Sequence, residues 1–255
     1  MNKINTKSFL TLSPKESKVK YQTLINNSDK KWLLCEQHIT NNEYDIAASL
    51  AIISIEELVK AMIVYANVLG FEFGRSKEME RFFKDHSIRF LIALVLFVID
   101  DLGKDFFSII LKIREDPTIL TIFRDNLNNI DSFIEQDLKP YYDDKIRIYK
   151  TEFEWFSTLE ALRQEGFYYD YKEPSILNFT SEQKCNEVYG KLKIVRIIGK
   201  GYIRSYENNE SNWDHLTQII EEWRIKDYYK KVDDSLIELK KLARNPFDAI
   251  RKKLT

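Results

Sequence analysis

The chain has 255 residues, 44% hydrophobic and 31% charged, with only 7 Gly and 5 Pro. That length fits one large domain or a core domain with an appendage, and the scarcity of turn formers excludes an all-β fold of many tight turns in favour of long helices. A net charge of −1 excludes a global basic footprint for nucleic acid, although 15 Lys/Arg face 10 Asp/Glu from Lys191 to the end, a mildly basic solvated surface.

In chain order, Ser13-Pro14-Lys15-Glu16 has the form of a helix start, with Ser as N-cap, Pro at the first helical position and Glu three residues after the cap. The helix is expected to run to about His38, weakened at Asn26-Asn27-Ser28, with Asn41-Asn42-Glu43 as punctuation. A second helix is expected from Tyr44 to Leu69, stopping at Gly70, and a third from Ser76 to Asp100. Asp116-Pro117 opens a segment to about Leu138, and Pro140 marks the next boundary, followed by one helix to Glu165 that ends at Gly166. A tyrosine-rich loop follows, from Phe167 to Phe179. Thr180-Ser181-Glu182-Gln183 reads as a capping box opening a helix to about Tyr206. After a polar break at Asn208 to Asn212, a last helix is expected to Ala243, with Asn245-Pro246 beyond it. No internal repeat, low-complexity tract or clear linker interrupts this order.

The two cysteines, Cys35 and Cys185, lie far apart without metal-ligand spacing. They predict no metal site and a reducing, cytoplasmic setting. No basic n-region followed by an apolar h-region opens the sequence, so secretion is not expected. Ile46 to Leu69 is long enough to span a membrane, but Glu56, Glu57 and Lys60 sit at its centre, so it is expected to be a buried helix rather than a membrane span. No P-loop or Gly-rich phosphate cradle is present, and no cofactor is expected.

Apolar side chains of the second helix point in nearly every direction, so it must be enclosed by its own bundle or by a partner subunit. Glu57 projects with Leu50, Ser54 and Ala61, and both Glu56 and Glu57 are within helical reach of Lys60. A carboxylate in such surroundings must be paired or protonated. Glu57 with Lys60 is therefore either a polar clamp that sets helix register or part of a catalytic site.

The third helix carries Arg81, His86 and Arg89. An imidazole flanked by guanidinium groups suits RNA cleavage without a metal: the histidine takes the 2′-hydroxyl proton and the cations hold the phosphate. Against that, Arg81 and Asp85, and Asp85 and Arg89, are ordinary i,i+4 ion pairs, and a single His on a helix is more often structural than catalytic.

Three elements carry a family resemblance. The stretch from Glu43 to Ala61, with its Ile55-Glu56-Glu57-Leu58-x-Lys60 core, resembles the signature of the AbiV-type abortive-infection family, a branch of the HEPN superfamily. Phe83-x-x-His86-x-x-Arg89 resembles that family's Phe-x-x-His-x-x-basic segment, with Arg where Lys is more usual. Leu162-Arg163-x-x-Gly166-x-Tyr168-x-Asp170 is similar to its Leu-Arg-x-x-Gly-x-Tyr-x-Asp element. Together they cover about Leu33 to Tyr206.

The resemblance implies an all-α, HEPN-like helical bundle over 1–206, with 103–150 as an unassigned helical insertion and 207–255 as a C-terminal helical extension. It implies a homodimer with its polar site near the subunit interface. It also implies metal-independent endoribonuclease chemistry through an Arg-x4-6-His motif, which Arg81 and His86 satisfy. Members of the family arrest translation in infected cells, some through phage-encoded activators.

Two functions follow. In the first the protein is an RNA-cleaving toxin, with His86 as base, Arg81 and Arg89 on phosphate, and Glu57 with Lys60 orienting the site. In the second it is a non-enzymatic effector or sensor that binds a phage protein or the translation machinery, and the polar cluster only stabilises the dimer. The tyrosines of the 167–179 loop either stack on bases or close one end of the bundle, the second being favoured.

Overall fold

The computed structural model describes residues 9, 12–71, 86, 89–90, 92–98, 100–101, 103–104, 139–165 and 180–207, and single helical positions between 218 and 237. Among these the secondary structure is helical, without strands. The helices are α1 (Pro14–Thr40), α2 (Tyr44–Val68), α3 (Lys139–Ser157), α4 (Leu159–Glu165) and α5 (Glu182–Glu207). Further helical residues lie within 86–104, before α3. The expected helix from Asp116-Pro117, the tyrosine-rich loop and most of the expected last helix lie outside the described residues.

Local chemistry sets the helix ends. Ser13 accepts from the Glu16 N–H while the Glu16 carboxylate accepts from the Ser13 N–H at 2.9 Å, a complete capping box. Asn42 at φ 61° and Gly70 at φ 98° close α1 and α2. In each case the following N–H reaches back five residues, Glu43 to the His38 carbonyl and Phe71 to the Ala66 carbonyl. Asn and Gly are the residues that adopt this left-handed conformation at least cost.

The helix α1 runs through Asn26-Asn27-Ser28, where the Ser28 hydroxyl is buried against Ser54 at 3.0 Å. Three expectations need correction. Helical residues continue past the expected end at Asp100 to positions 101, 103 and 104. The helix expected up to Glu165 is two: the Thr158 N–H and hydroxyl both bond the Trp155 carbonyl, at 3.0 and 2.7 Å, a tightened turn that separates α3 from α4. At α5 the cap is Ser181, whose hydroxyl accepts from the Lys184 N–H at 3.2 Å, whereas Thr180 is buried one residue earlier.

The three-residue connection makes α1 and α2 an antiparallel hairpin, as Ser28 against Ser54 and Tyr21 against Tyr65 confirm. The helix α5 runs antiparallel to α1: Tyr21 meets Glu207, Asp29 meets Arg196 and Lys200, and Trp32 stacks on Tyr189. The helix α2 thus lies between α1, α5 and α4, and nearly its whole length is buried. Its Leu58 and Met62 side chains pack on Gly199, where a Cβ would come within 3.0 Å of Leu58 Cδ2. A side chain at 199 would require Leu58 and Met62 to shift.

No helix among the described residues is long and apolar enough to cross a membrane.

Candidate functional site

One face of α2 is turned toward α4 and the 86–104 residues. Ser49 donates to the Leu162 carbonyl at 3.1 Å, and two turns along the same face is Glu56. Its carboxylate is 3% exposed as a residue, and charge so deeply placed requires partners. It has three. His86 Nδ1 lies 2.8 Å from Oε1, Arg89 Nη2 lies 3.2 Å from Oε2, and Arg163 Nε lies 3.6 Å from Oε1. Arg89 also touches the His86 ring nitrogen.

Arg163 in turn holds Glu160 with two parallel bonds, Nε to Oε2 at 3.0 Å and Nη2 to Oε1 at 2.7 Å, and Gln164 donates to the same Oε1 at 2.8 Å. Three segments far apart in sequence therefore converge on one carboxylate. Burial alone would push the Glu160 carboxyl up, but the Arg163 and Gln164 hydrogen bonds, with the Arg163 and His86 charges, outweigh it and hold its pKa below the ordinary value.

The cluster has a floor and a rim. Side-chain exposure is 4% for Glu56 and 2% for Arg89, against 17% for Arg163, 31% for Glu160 and 36% for His86. His86 Nδ1 sits between the Glu56 carboxylate and the Arg89 guanidinium, and these two groups orient the ring. That is the arrangement of a carboxylate-oriented general base.

Ligand atoms of Glu56, His86 and Glu160 lie within 4.8 Å of one another, a spacing that would suit a cation. The donor set does not fit one. The guanidinium groups of Arg89 and Arg163 already neutralise both carboxylates, and a metal would have to sit beside two fixed positive charges.

Of the residues expected in the site, His86 and Arg89 are brought together. Glu57 and Lys60 pair with each other at 2.7 Å, and it is Glu56 that faces His86. Arg81 lies outside the described residues. Sequence reasoning did not single out Glu160, nor Arg163 beyond its place in the Leu-Arg element. The available signal was the i,i+3 spacing of Glu160 and Arg163 next to that element.

A separate groove of about 340 Å³ runs between α1 and α5, lined among others by Tyr21, Asp29, Lys200, Arg204 and Glu207. Within it Asp29 holds Lys200 at 2.7 Å, and the Tyr21 hydroxyl donates to Glu207 at 2.5 Å.

Comparison with known proteins returns one family model, described as AbiV (HEPN_AbiV), which matches residues 16–184. Neither the curated proteins nor the solved structures give a significant match. The matched span contains α1 from residue 16, α2 to α4, all five residues of the Glu56 cluster and the start of α5.

Proposed function

The chain belongs to the AbiV family of HEPN abortive-infection proteins, and on that premise we propose that it is a metal-independent endoribonuclease toxin that arrests translation in phage-infected cells. The observation that carries this reading is the His86 ring, held by Glu56 at 2.8 Å through Nδ1 with 36% of its side chain exposed.

In the proposed reaction Nε2 of His86 takes the proton of an RNA 2′-hydroxyl. The 2′-oxygen attacks the adjacent phosphorus, the bond to the 5′-oxygen breaks, and that oxygen takes up a proton. The products are a 2′,3′-cyclic phosphate and a 5′-hydroxyl. Arg81 is assigned to the phosphate. Arg89, enclosed behind Glu56, positions the carboxylate and the ring. The Glu57–Lys60 pair braces α2 one position away. The same reading makes the protein a cytoplasmic homodimer with the site near the subunit interface, released by a phage-encoded activator.

The test is purified protein with total cellular RNA, wild type against His86→Ala, with oligomeric mass and circular dichroism measured alongside. Cleavage and toxicity that vanish in a folded His86→Ala protein support the proposal. Undiminished toxicity of that folded variant sinks it.

A second reading, a non-enzymatic effector or sensor that binds a phage protein or the translation machinery, draws support from the near-complete burial of Glu56 and Arg89, which suits a clamp as well as a catalyst. It expects intact RNA and loss of folding or dimerisation when Glu56 is replaced.

A further inference from the structure

Among the described residues the charges of the cluster are balanced before any substrate arrives. Two carboxylates, Glu56 and Glu160, face two guanidinium groups, Arg89 and Arg163. An incoming anion is accommodated only if one carboxylate gives way, because like charges at this separation repel strongly outside bulk water. Glu56 cannot leave, being enclosed and held from three sides. Glu160 can, because its side chain is 31% exposed and rotation into water needs no change in α4.

What Glu160 would leave behind is a ready anion seat. Arg163 presents Nε and Nη2 in the two-pronged geometry that matches two oxygens of a carboxylate or of a phosphate equally well. Glu56 Oε1 stays 3.6 Å from Arg163 Nε, so the guanidinium keeps its place when its first partner goes. The Glu160 ligand atom lies within 4.8 Å of the His86 ring nitrogen, so a group that replaces it sits next to the imidazole. The other guanidinium, Arg89, is 2% exposed and already committed to Glu56.

We propose that Arg163 is an anion-binding residue of this site, with Glu160 as its displaceable counter-ion, and that the displacing ligand is a backbone phosphodiester of RNA. The identity of that ligand rests on the nuclease reading above; the anion seat itself does not.

The test is binding of a fluorescent 2′-O-methyl RNA oligomer, which lacks the nucleophile, followed by anisotropy at fixed salt with inorganic phosphate as competitor. Glu160→Gln is expected to bind roughly tenfold tighter and Arg163→Gln roughly tenfold weaker, the scale of one charge-assisted contact. Arg163→Lys falls between wild type and Arg163→Gln, because a point charge cannot reproduce the fork. The double variant behaves as Arg163→Gln alone. DNA of the same sequence responds to both substitutions in parallel, since phosphate oxygens carry the contact; an effect confined to one polymer overturns it.

A folded Glu160→Gln protein that binds no tighter than wild type overturns the proposal, and this arm decides alone if Arg163→Gln fails to fold. Tighter binding by Glu160→Gln without cleavage of unmodified RNA keeps the anion seat and removes the nuclease reading. Cleavage by wild type with no effect of Glu160→Gln on binding does the reverse.

Discussion

Replacing Glu56 by Gln keeps the shape of the side chain and removes its charge. Arg89, with 2% of its side chain exposed, then loses the Glu56 carboxylate while its guanidinium stays enclosed. Breaking a buried ion pair in this way costs about 3–5 kcal/mol. His86 and Arg163 are at the rim and can turn outward, which places the expected loss near the lower end, about 3 kcal/mol. For a chain of this size each kcal/mol lowers the midpoint by roughly 2–4 °C, so a fall of about 10 °C is expected. Glu57→Gln removes only the pair with Lys60, whose side chains are 15% and 20% exposed, and about 1 kcal/mol at most is expected. Urea unfolding followed by circular dichroism, compared at equal slope, measures both. A Glu57→Gln protein destabilised as much as Glu56→Gln would refute the assignment of the inward face of α2.

Gly199→Ala is expected to destabilise by about 1 kcal/mol, because crowding against Leu58 Cδ2 at 3.0 Å and Met62 Sδ at 3.1 Å outweighs the helix propensity gained. Gly190→Ala and Gly201→Ala meet nothing within 4 Å and should stabilise by up to about 1 kcal/mol; the sign of the midpoint shift in urea separates the two cases. Burial pushes Asp29 up, but hydrogen bonds and charge from Lys200 and Arg196 hold it below its ordinary 3.8. Its folded pKa being depressed, its contribution is complete above 3.8 and is lost as pH falls through the lower folded value. Thermal midpoints measured down that window should fall less steeply for Asp29→Asn than for wild type. Burial pushes the Cys35 thiol up to about 12 and Cys185 to about 11. An aromatic disulfide reagent at neutral pH should therefore label neither until the chain is unfolded; rapid labelling of the native protein would contradict their enclosure in the core.

Much of the fold was legible along the chain, because helix starts and stops are local chemistry. The Ser13 capping box, the Asn41-Asn42-Glu43 break and the Gly70 stop occur where residue identity alone puts them. Local chemistry was ambiguous where two neighbours offer the same group. Thr180 and Ser181 both carry a hydroxyl, and burial of Thr180 leaves the cap to Ser181. The split between α3 and α4 depends on which way the Thr158 hydroxyl turns, which composition does not reveal.

The sequence by itself determined the helical class, the family and the pair of adjacent glutamates in the middle of α2. It could not say which glutamate faces the site. The two differ by about 100° around the helix, and a helix buried on nearly every side has no polar face by which to orient it. Packing decided. The helix α4 docks on the side of Ser49 and Glu56, and the 86–104 residues bring His86 and Arg89 to the same side. Arg163 arrives there from 107 positions beyond Glu56, a meeting that spacing along the chain does not encode. The charge that had to be paired was readable in advance; its partners came from the tertiary structure, because a buried carboxylate is satisfied by whatever cations the surrounding helices deliver.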